Sequence, residues 1–124
     1  MPAPKLAQLV DQKYISLETF KKNGEGVKTP IWFVLHNDMV YAYTEADSWK
    51  VKRIRNNPRV RVAACNVRGT VKSPWIDGTA SIIDGDERLA ADKLLDRKYV
   101  LKVIFNVLTK INRHARAMIK IEFA

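Results

Sequence analysis

The sequence contains one cysteine, two histidines and no long apolar run, and each scarcity excludes a class of protein. Cys65 has no second cysteine to pair with, which excludes an internal disulfide and a CxxC metal site. His36 and His114 lack the spacing of an HExxH zinc motif, so we expect no metal. No run of about 18 apolar residues is present, and the N-terminal segment lacks the apolar core of a signal peptide. We therefore expect a cytoplasmic protein without a membrane partner.

Acidic residues are also scarce, because 22 lysines and arginines stand against 13 aspartates and glutamates. The imbalance is local: between Ser48 and Ile76 the chain has no acidic residue and eight basic ones, against a net charge of +9 for the whole chain. Such a stretch indicates an anionic partner, although charge alone does not distinguish nucleic acid, acidic lipid and a phosphorylated cofactor. The eight basic residues are Lys50, Lys52, Arg53, Arg55, Arg59, Arg61, Arg68 and Lys72.

Short β-type segments dominate the rest of the pattern. A strand from Tyr14 to Lys22, the turn Asn23-Gly24-Glu25-Gly26 and a second strand from Val27 to His36 predict a hairpin. The second strand is almost continuously apolar, which predicts that both of its faces are covered. Pro30 cannot donate a ladder hydrogen bond, so one side of this strand is predicted to be open or bulged.

The remaining segments predict a single domain over residues 1–124. Further strands are predicted at 39–44, 59–67, 71–84 and 117–123, with helices at 3–12 and, in two pieces, at 85–112. Strands at short spacing with few helices between them are typical of a closed or nearly closed antiparallel barrel. A chain of 124 residues with 47% hydrophobic residues is enough for one core and too short for two.

The segment from Tyr43 to Val60 is the strongest candidate for a site. A strand is followed by an N-cap-like cluster, Thr44, Glu45, Asp47 and Ser48, and then by a short amphipathic helix that ends at Asn57-Pro58. The first backbone N–H groups of a helix have no partner inside it, and the helix dipole places partial positive charge there. This turn is therefore predicted to bind an anion, with Lys50 as the main cation.

The order of motifs along the chain resembles the pyridoxamine 5′-phosphate oxidase superfamily of split-barrel flavoproteins. The resemblance rests on Thr29-Pro30-Ile31-Trp32-Phe33, Tyr43-Thr44, Ser48-Trp49-Lys50 and Asn56-Asn57-Pro58. It covers nearly the whole chain, and it is closest to the small deazaflavin (F420)-dependent oxidoreductases of that class. The resemblance implies a mainly β (α+β) fold, a six- to seven-stranded antiparallel split β-barrel with a few flanking helices.

The resemblance also implies a phosphorylated flavin-type cofactor, either coenzyme F420 or FMN, and a homodimer with its sites at the subunit interface. The apolar strand would run beside the ring system and ribityl chain, the turn before the helix would hold the phosphate, and the partner subunit would supply some contacts. The residues so implied are Lys28, Thr29, Pro30, Ile31, Trp32, Phe33, Tyr43, Thr44, Ser48, Lys50, Lys52, Arg53, Arg68 and Trp75.

Three differences from the vitamin B6 oxidases of this superfamily argue against a vitamin B6 substrate. Trp49 stands where those oxidases have an arginine, Phe33 stands where they have a basic residue, and the ending MIKIEFA lacks their substrate-binding arginine and histidine. No paired carboxylates and no activated nucleophile are recognisable, so no catalytic residue is predicted. We expect an oxidoreductase that transfers hydride between the cofactor and a small organic acceptor. A cofactor-binding protein without turnover is the alternative, and a nucleic-acid-binding barrel is less favoured.

Overall fold

The structure is a computed structural model that describes residues 4–99 and 116–123. The elements in chain order are a 3₁₀ helix (Pro4–Leu9), β1 (Tyr14–Phe20), β2 (Gly26–Trp32), β3 (Val34–His36), β4 (Met39–Glu45), α1 (Trp49–Asn56), β5 (Arg59–Cys65), β6 (Ile76–Ile83), α2 (Gly85–Lys98) and β7 (Arg116–Glu122). No helix among these described residues is both long and apolar enough to cross a membrane. The second predicted helical piece and His114 lie outside the described residues.

The seven strands form one antiparallel sheet in the order β2-β1-β5-β6-β7-β4-β3. β2 and β3 stand at opposite ends of that order, yet only Phe33 separates them in the chain. The sheet must therefore curl until its two ends meet at Phe33, and β2 contacts β4 across the opening. The predicted fold, a mainly β, six- to seven-stranded antiparallel split barrel with a few flanking helices, is confirmed.

The inner face of the sheet forms the main core, because side chains alternate between the two faces of each strand. Ile15 and Leu17 of β1 point inward together with Ile119 and Ile121 of β7. The 3₁₀ helix adds its buried leucines to the same cluster. This inner cluster consists of Leu6, Leu9, Ile15, Leu17, Ile31, Phe33, Val40, Ala42, Ile54, Val60, Val62, Ala64, Ile76, Ala80, Ile119 and Ile121.

The outer face of the sheet is covered in part by α2. Asp84 caps this helix by accepting a hydrogen bond from the Gly85 N–H, and Asp86 and Glu87 lie in its first turn, where carboxylates are favourable. Its apolar side packs on residues of β3, β4 and β7. The resulting outer cluster consists of Val34, Tyr41, Ala91, Leu95, Tyr99 and Met118, with Trp32, Met39, Tyr43, Ile83 and Leu94 partly buried against it.

The predicted strand Val27–His36 is correct as a segment and wrong in detail. It is two strands, because the chain changes sheet partners at Phe33 from β1 to β4. The expectation that both faces are covered is also wrong, since Lys28 and Pro30 are exposed. β2 also stands at the end of the described sheet, which leaves one of its hydrogen-bonding edges unpaired. The open side predicted from Pro30 is confirmed.

Tyr99, at the end of α2, is hydrogen-bonded to the junction between β2 and β3. Its hydroxyl lies 3.0 Å from the Phe33 N, which donates to it, and 2.7 Å from the carbonyl oxygens of Phe33 and Lys13. Burial raises the pKa of Tyr99 to about 12, so the hydroxyl stays protonated and donates to these carbonyls. A single side chain thus fixes the peptide at which the barrel closes.

Replacing Tyr99 with phenylalanine is expected to lower the free energy of unfolding by about 1–3 kcal/mol, because buried Phe33 groups lose their partner. Urea unfolding measures the change. Tyr14→Phe is the matched control, since the Tyr14 hydroxyl has no hydrogen-bond partner among the described residues. Equal stability of the two variants would contradict this role of Tyr99.

Candidate functional site

The turn that the sequence predicts to bind an anion lies between β4 and α1. Ser48 is the N-cap of α1, and its Oγ accepts a hydrogen bond from the Val51 N–H at 3.4 Å. The Thr44 Oγ1 lies 3.3 Å from the same Ser48 Oγ. Two hydroxyl groups therefore stand together where the helix presents its unpaired N–H groups and the positive end of its dipole.

Lys50 brings a cation to this turn. Its side chain is half-buried, and burial, followed by the nearby Arg53, lowers the pKa of Lys50, with Glu45 acting in the opposite direction. In the described part of the chain no carboxylate forms an ion pair with Lys50. A partly desolvated cation without an ion-pair contact among the described residues is stabilised by an anion that reaches it, because the anion compensates the cost of burial.

The exposed side of α1 extends the positive region into a pocket of about 460 Å³. The Lys52 Nζ lies 4.5 Å above the centre of the Trp49 ring, and the Arg53 Nη1 lies 3.4 Å from the Thr19 Oγ1. The end of β1 forms the opposite wall. The residues that line this α1 pocket are Phe20, Lys21, Lys22, Trp49, Lys52, Arg53 and Asn56.

A second group of predicted residues meets on the exposed side of β2. The Lys28 Nζ lies 5.2 Å from the centre of the Trp75 ring. The turn that contains Arg68 approaches Pro30, since a Cβ built on Gly69 would lie 3.8 Å from the Pro30 ring. Lys28, Pro30, Trp75 and the Arg68 turn are therefore neighbours, and their contact with a cofactor stays a prediction.

Four of the predicted residues pack their side chains against the rest of the protein, two of them buried and two partly buried. Ile31 and Phe33 belong to the inner cluster, so they present mainly backbone to a ligand. Trp32 stacks on Tyr99 with ring centres 4.7 Å apart and planes within 4°. The Tyr43 hydroxyl donates a hydrogen bond to Asp92, and burial strongly raises the pKa of Tyr43. Trp32 and Tyr43 therefore support α2, and their contact with a cofactor stays a prediction.

Comparison of the sequence with models of known protein families identifies the family of this chain. The sequence profile described as pyridoxamine 5′-phosphate oxidase matches residues 3–124. The chain belongs to the pyridoxamine 5′-phosphate oxidase family. No curated protein matches the sequence. Membership of this family, reached from the motif order, is thus confirmed, whereas the deazaflavin-dependent subgroup stays a prediction.

Solved structures with the family's fold have diverged far in sequence. HutZ, a heme storage protein of Vibrio cholerae, is 12% identical over 92% of this chain and 83% of its own, with a TM-score of 0.70. A candidate 5-nitroimidazole antibiotic resistance protein of Bacteroides thetaiotaomicron is 13% identical over 94% and 76%, with a TM-score of 0.70. A candidate pyridoxamine 5′-phosphate oxidase of Listeria innocua is 19% identical over 94% and 87%, with a TM-score of 0.62. At such identities the similarity establishes the fold alone.

The wall of the α1 pocket formed by Phe20, Lys21 and Lys22 was not predicted from the sequence. These residues precede the first hairpin turn, and nothing in their local pattern indicates that the end of β1 reaches α1, about 30 residues later in the chain. The adjacent lysines were the only available signal. In this family member, basic residues from two distant segments thus surround one pocket.

Proposed function

We propose that the chain binds a phosphorylated flavin-type cofactor, coenzyme F420 or FMN, with its phosphate at the turn before α1. The observation that carries the proposal is Lys50, a half-buried cation without an ion-pair partner among the described residues, beside the hydroxyls of Thr44 and Ser48. Hydroxyl donors, free N–H groups and a cation form the donor set that a phosphate requires. The residues present therefore fit the group.

The other predicted residues receive roles according to their positions. Lys52 and Arg53 are proposed to bind further anionic groups of the cofactor, since both line the α1 pocket. Thr29 and the backbone of Ile31 and Phe33 are proposed to border the ring system and ribityl chain. Tyr43 is proposed to lie near the phosphate through its backbone, because its hydroxyl is engaged by Asp92.

A homodimer is proposed to complete the site. The side of β2 with Lys28, Pro30, Arg68 and Trp75 is not covered by another strand in the described residues, so a second copy can approach it. Arg68 and Trp75 are the residues proposed to act across the interface. Measurement of the molar mass in solution, with and without Trp75→Ala, tests this arrangement.

The proposed reaction is hydride transfer to a small organic acceptor. A deazaflavin or flavin bound in its reduced form would supply the hydride and be oxidised as the acceptor is reduced, and the protein supplies position and electrostatics. Lys50 neutralises the phosphate, the turn fixes its place, and the buried β2–β3 junction provides a rigid edge for the ring. No proton donor is assigned to the protein. Turnover of the reduced cofactor with a panel of enoates and quinones tests this step, and binding without turnover would favour a cofactor-binding protein instead.

Replacing Lys50 with alanine is expected to weaken cofactor binding by about 10- to 100-fold, because hydrogen bonds between the ammonium group and the phosphate are lost. Fluorescence titration measures the dissociation constant. Lys93→Ala removes an exposed lysine on α2 and serves as the control with the same change in net charge. An equal effect of both variants would mean that only long-range charge matters, which would contradict a direct phosphate contact.

Cofactor binding is also expected to weaken at alkaline pH, as Lys50 loses its proton. Burial lowers the pKa of Lys50 in the free protein, and a phosphate favours the charged form, so the bound state holds the proton more tightly. Affinity is therefore greatest below the lowered pKa and declines as Lys50 loses its proton. The dissociation constant measured between pH 7 and pH 10 is expected to change less in Lys50→Ala than in the unmodified protein.

A further inference from the structure

A second groove lies between α1 and the ends of β6 and β7, and neither Ser48 nor Lys50 lines it. Its volume is about 550 Å³, within the range of about 300–1,000 Å³ that small-molecule sites occupy. Ile54, Ala80 and Ala117 provide apolar surface. Three arginines and one aspartate provide the charge: Arg55, Arg88, Arg116 and Asp84.

Arg88 is held in place before any ligand arrives. Its Nη2 donates a hydrogen bond to the backbone carbonyl of Arg116 at 2.6 Å, and its side chain is only 26% exposed. A guanidinium that is already ordered loses little conformational entropy when it binds an anion. Its planar donors match the geometry of a carboxylate or a phosphate.

Asp84 is the one carboxylate among the described residues that line the groove, and it does not neutralise both Arg55 and Arg88. The Asp84 Oδ1 lies 3.7 Å from the Arg88 Nη1, but the Asp84 side chain is 90% exposed. An ion pair with such an exposed partner gives only a weak attraction. The Asp84 carboxylate also accepts from the Gly85 N–H as the cap of α2. Arg116 has an interaction partner of its own, and Arg55 and Arg88 against Asp84 still leave positive charge in excess on the groove walls.

We infer that this groove binds a small molecule that carries a carboxylate or phosphate group on a short apolar body. Arg88, the fourth residue of α2, and Arg55, in the last turn of α1, both line the groove and bind the anionic group together. The apolar floor accommodates the rest of the ligand. The groove shares no lining residue with the α1 pocket, and of the turn before α1 only Ala46 borders it among the described residues.

The test is an NMR titration of ¹⁵N-labelled protein with succinate and, separately, with inorganic phosphate, with sodium chloride keeping the ionic strength constant. We expect saturable shifts of the backbone signals of Ser81, Asp84 and Arg88. Arg88→Gln is expected to weaken binding about tenfold and Arg55→Gln about threefold, because charged hydrogen bonds are lost. Lys93→Gln, with the same charge change, is expected to bind normally. Saturation by succinate alone identifies a carboxylate ligand, and saturation by phosphate alone a phosphate.

Arg55→Gln keeps the test decisive if Arg88→Gln weakens the fold, since Arg55 is exposed and has no partner among the described residues. Shifts that never saturate, or an affinity that is equal in Arg55→Gln and Lys93→Gln, would overturn the inference. Shifts confined to residues 44–51 would overturn it as well, because the anion would then bind at the α1 turn. That last result would leave the proposed cofactor site standing.

Discussion

Replacing Phe33 with alanine is expected to lower the free energy of unfolding by about 3–5 kcal/mol, the usual cost of removing a large buried ring. Phe33 is fully buried in the inner cluster and is the single residue between β2 and β3. Its backbone is held on both sides by the Tyr99 hydroxyl, so the surrounding structure has little freedom to fill the cavity. Urea unfolding measures the loss.

Phe33→Leu is the matched control for this prediction. It keeps most of the volume and is expected to cost less than about 1.5 kcal/mol. Val10→Ala, at a site that is 42% exposed, gives the effect of an apolar truncation outside the core. If Phe33→Ala cost no more than Val10→Ala, the ring would not be part of the closed core and the described junction would be incorrect.

The second large effect is expected at the ion pair between Glu18 and Arg61. The Glu18 carboxylate is buried, with its side chain 8% exposed, and its Oε1 lies 3.1 Å from the Arg61 Nη1. A Cβ at Gly26 would overlap the same carboxylate, so glycine leaves the room that Glu18 occupies. Replacing Arg61 with methionine removes the ion-pair partner of Glu18 and leaves its carboxylate charge buried and unpaired. We expect a loss of about 2–4 kcal/mol, below the full cost of a broken buried pair because Arg61 is 34% exposed.

A double variant separates the missing charge from the missing contacts. Glu18→Leu/Arg61→Met removes both charges, and apolar replacement of a buried pair is often neutral or stabilising. We therefore expect the double variant to be more stable than Arg61→Met alone. If it were less stable, the loss in Arg61→Met would instead arise from the contacts of Arg61 with Trp75 and Asp77.

Local patterns in the sequence were enough to predict most of the fold. Asn37 and Asp38 both adopt positive φ, of 52° and 61°, which matches the two-residue hairpin turn that joins β3 and β4. Ser48 caps α1 as predicted, and Asn57-Pro58 follows its end. Ile119 and Ile121 of β7 face inward while Met118 faces outward, as the alternation in 117–123 predicted. Each of these features depends on residues that are close together in the chain.

The remaining features depend on contacts between distant residues. Trp32 and Tyr43 look alike as candidate ring contacts in the sequence, but both pack under α2, whose position is set by the whole sheet. The bond between Tyr99 and Phe33 joins residues 66 positions apart. For the candidate site, the turn with Thr44, Ser48 and Lys50 was predictable because one helix start forms it. The wall of the α1 pocket from β1 was not predictable.

The most direct test of a cofactor site at the α1 turn is the titration of the purified, unmodified protein with coenzyme F420 and, separately, with FMN. Quenching of cofactor fluorescence reports binding. We expect at least one of the two to bind with a dissociation constant in the micromolar range or below, the range that distinguishes specific sites from weak surface contacts. If neither cofactor binds, Lys50 and its neighbouring hydroxyls do not hold a flavin-type phosphate, and the proposed function is wrong.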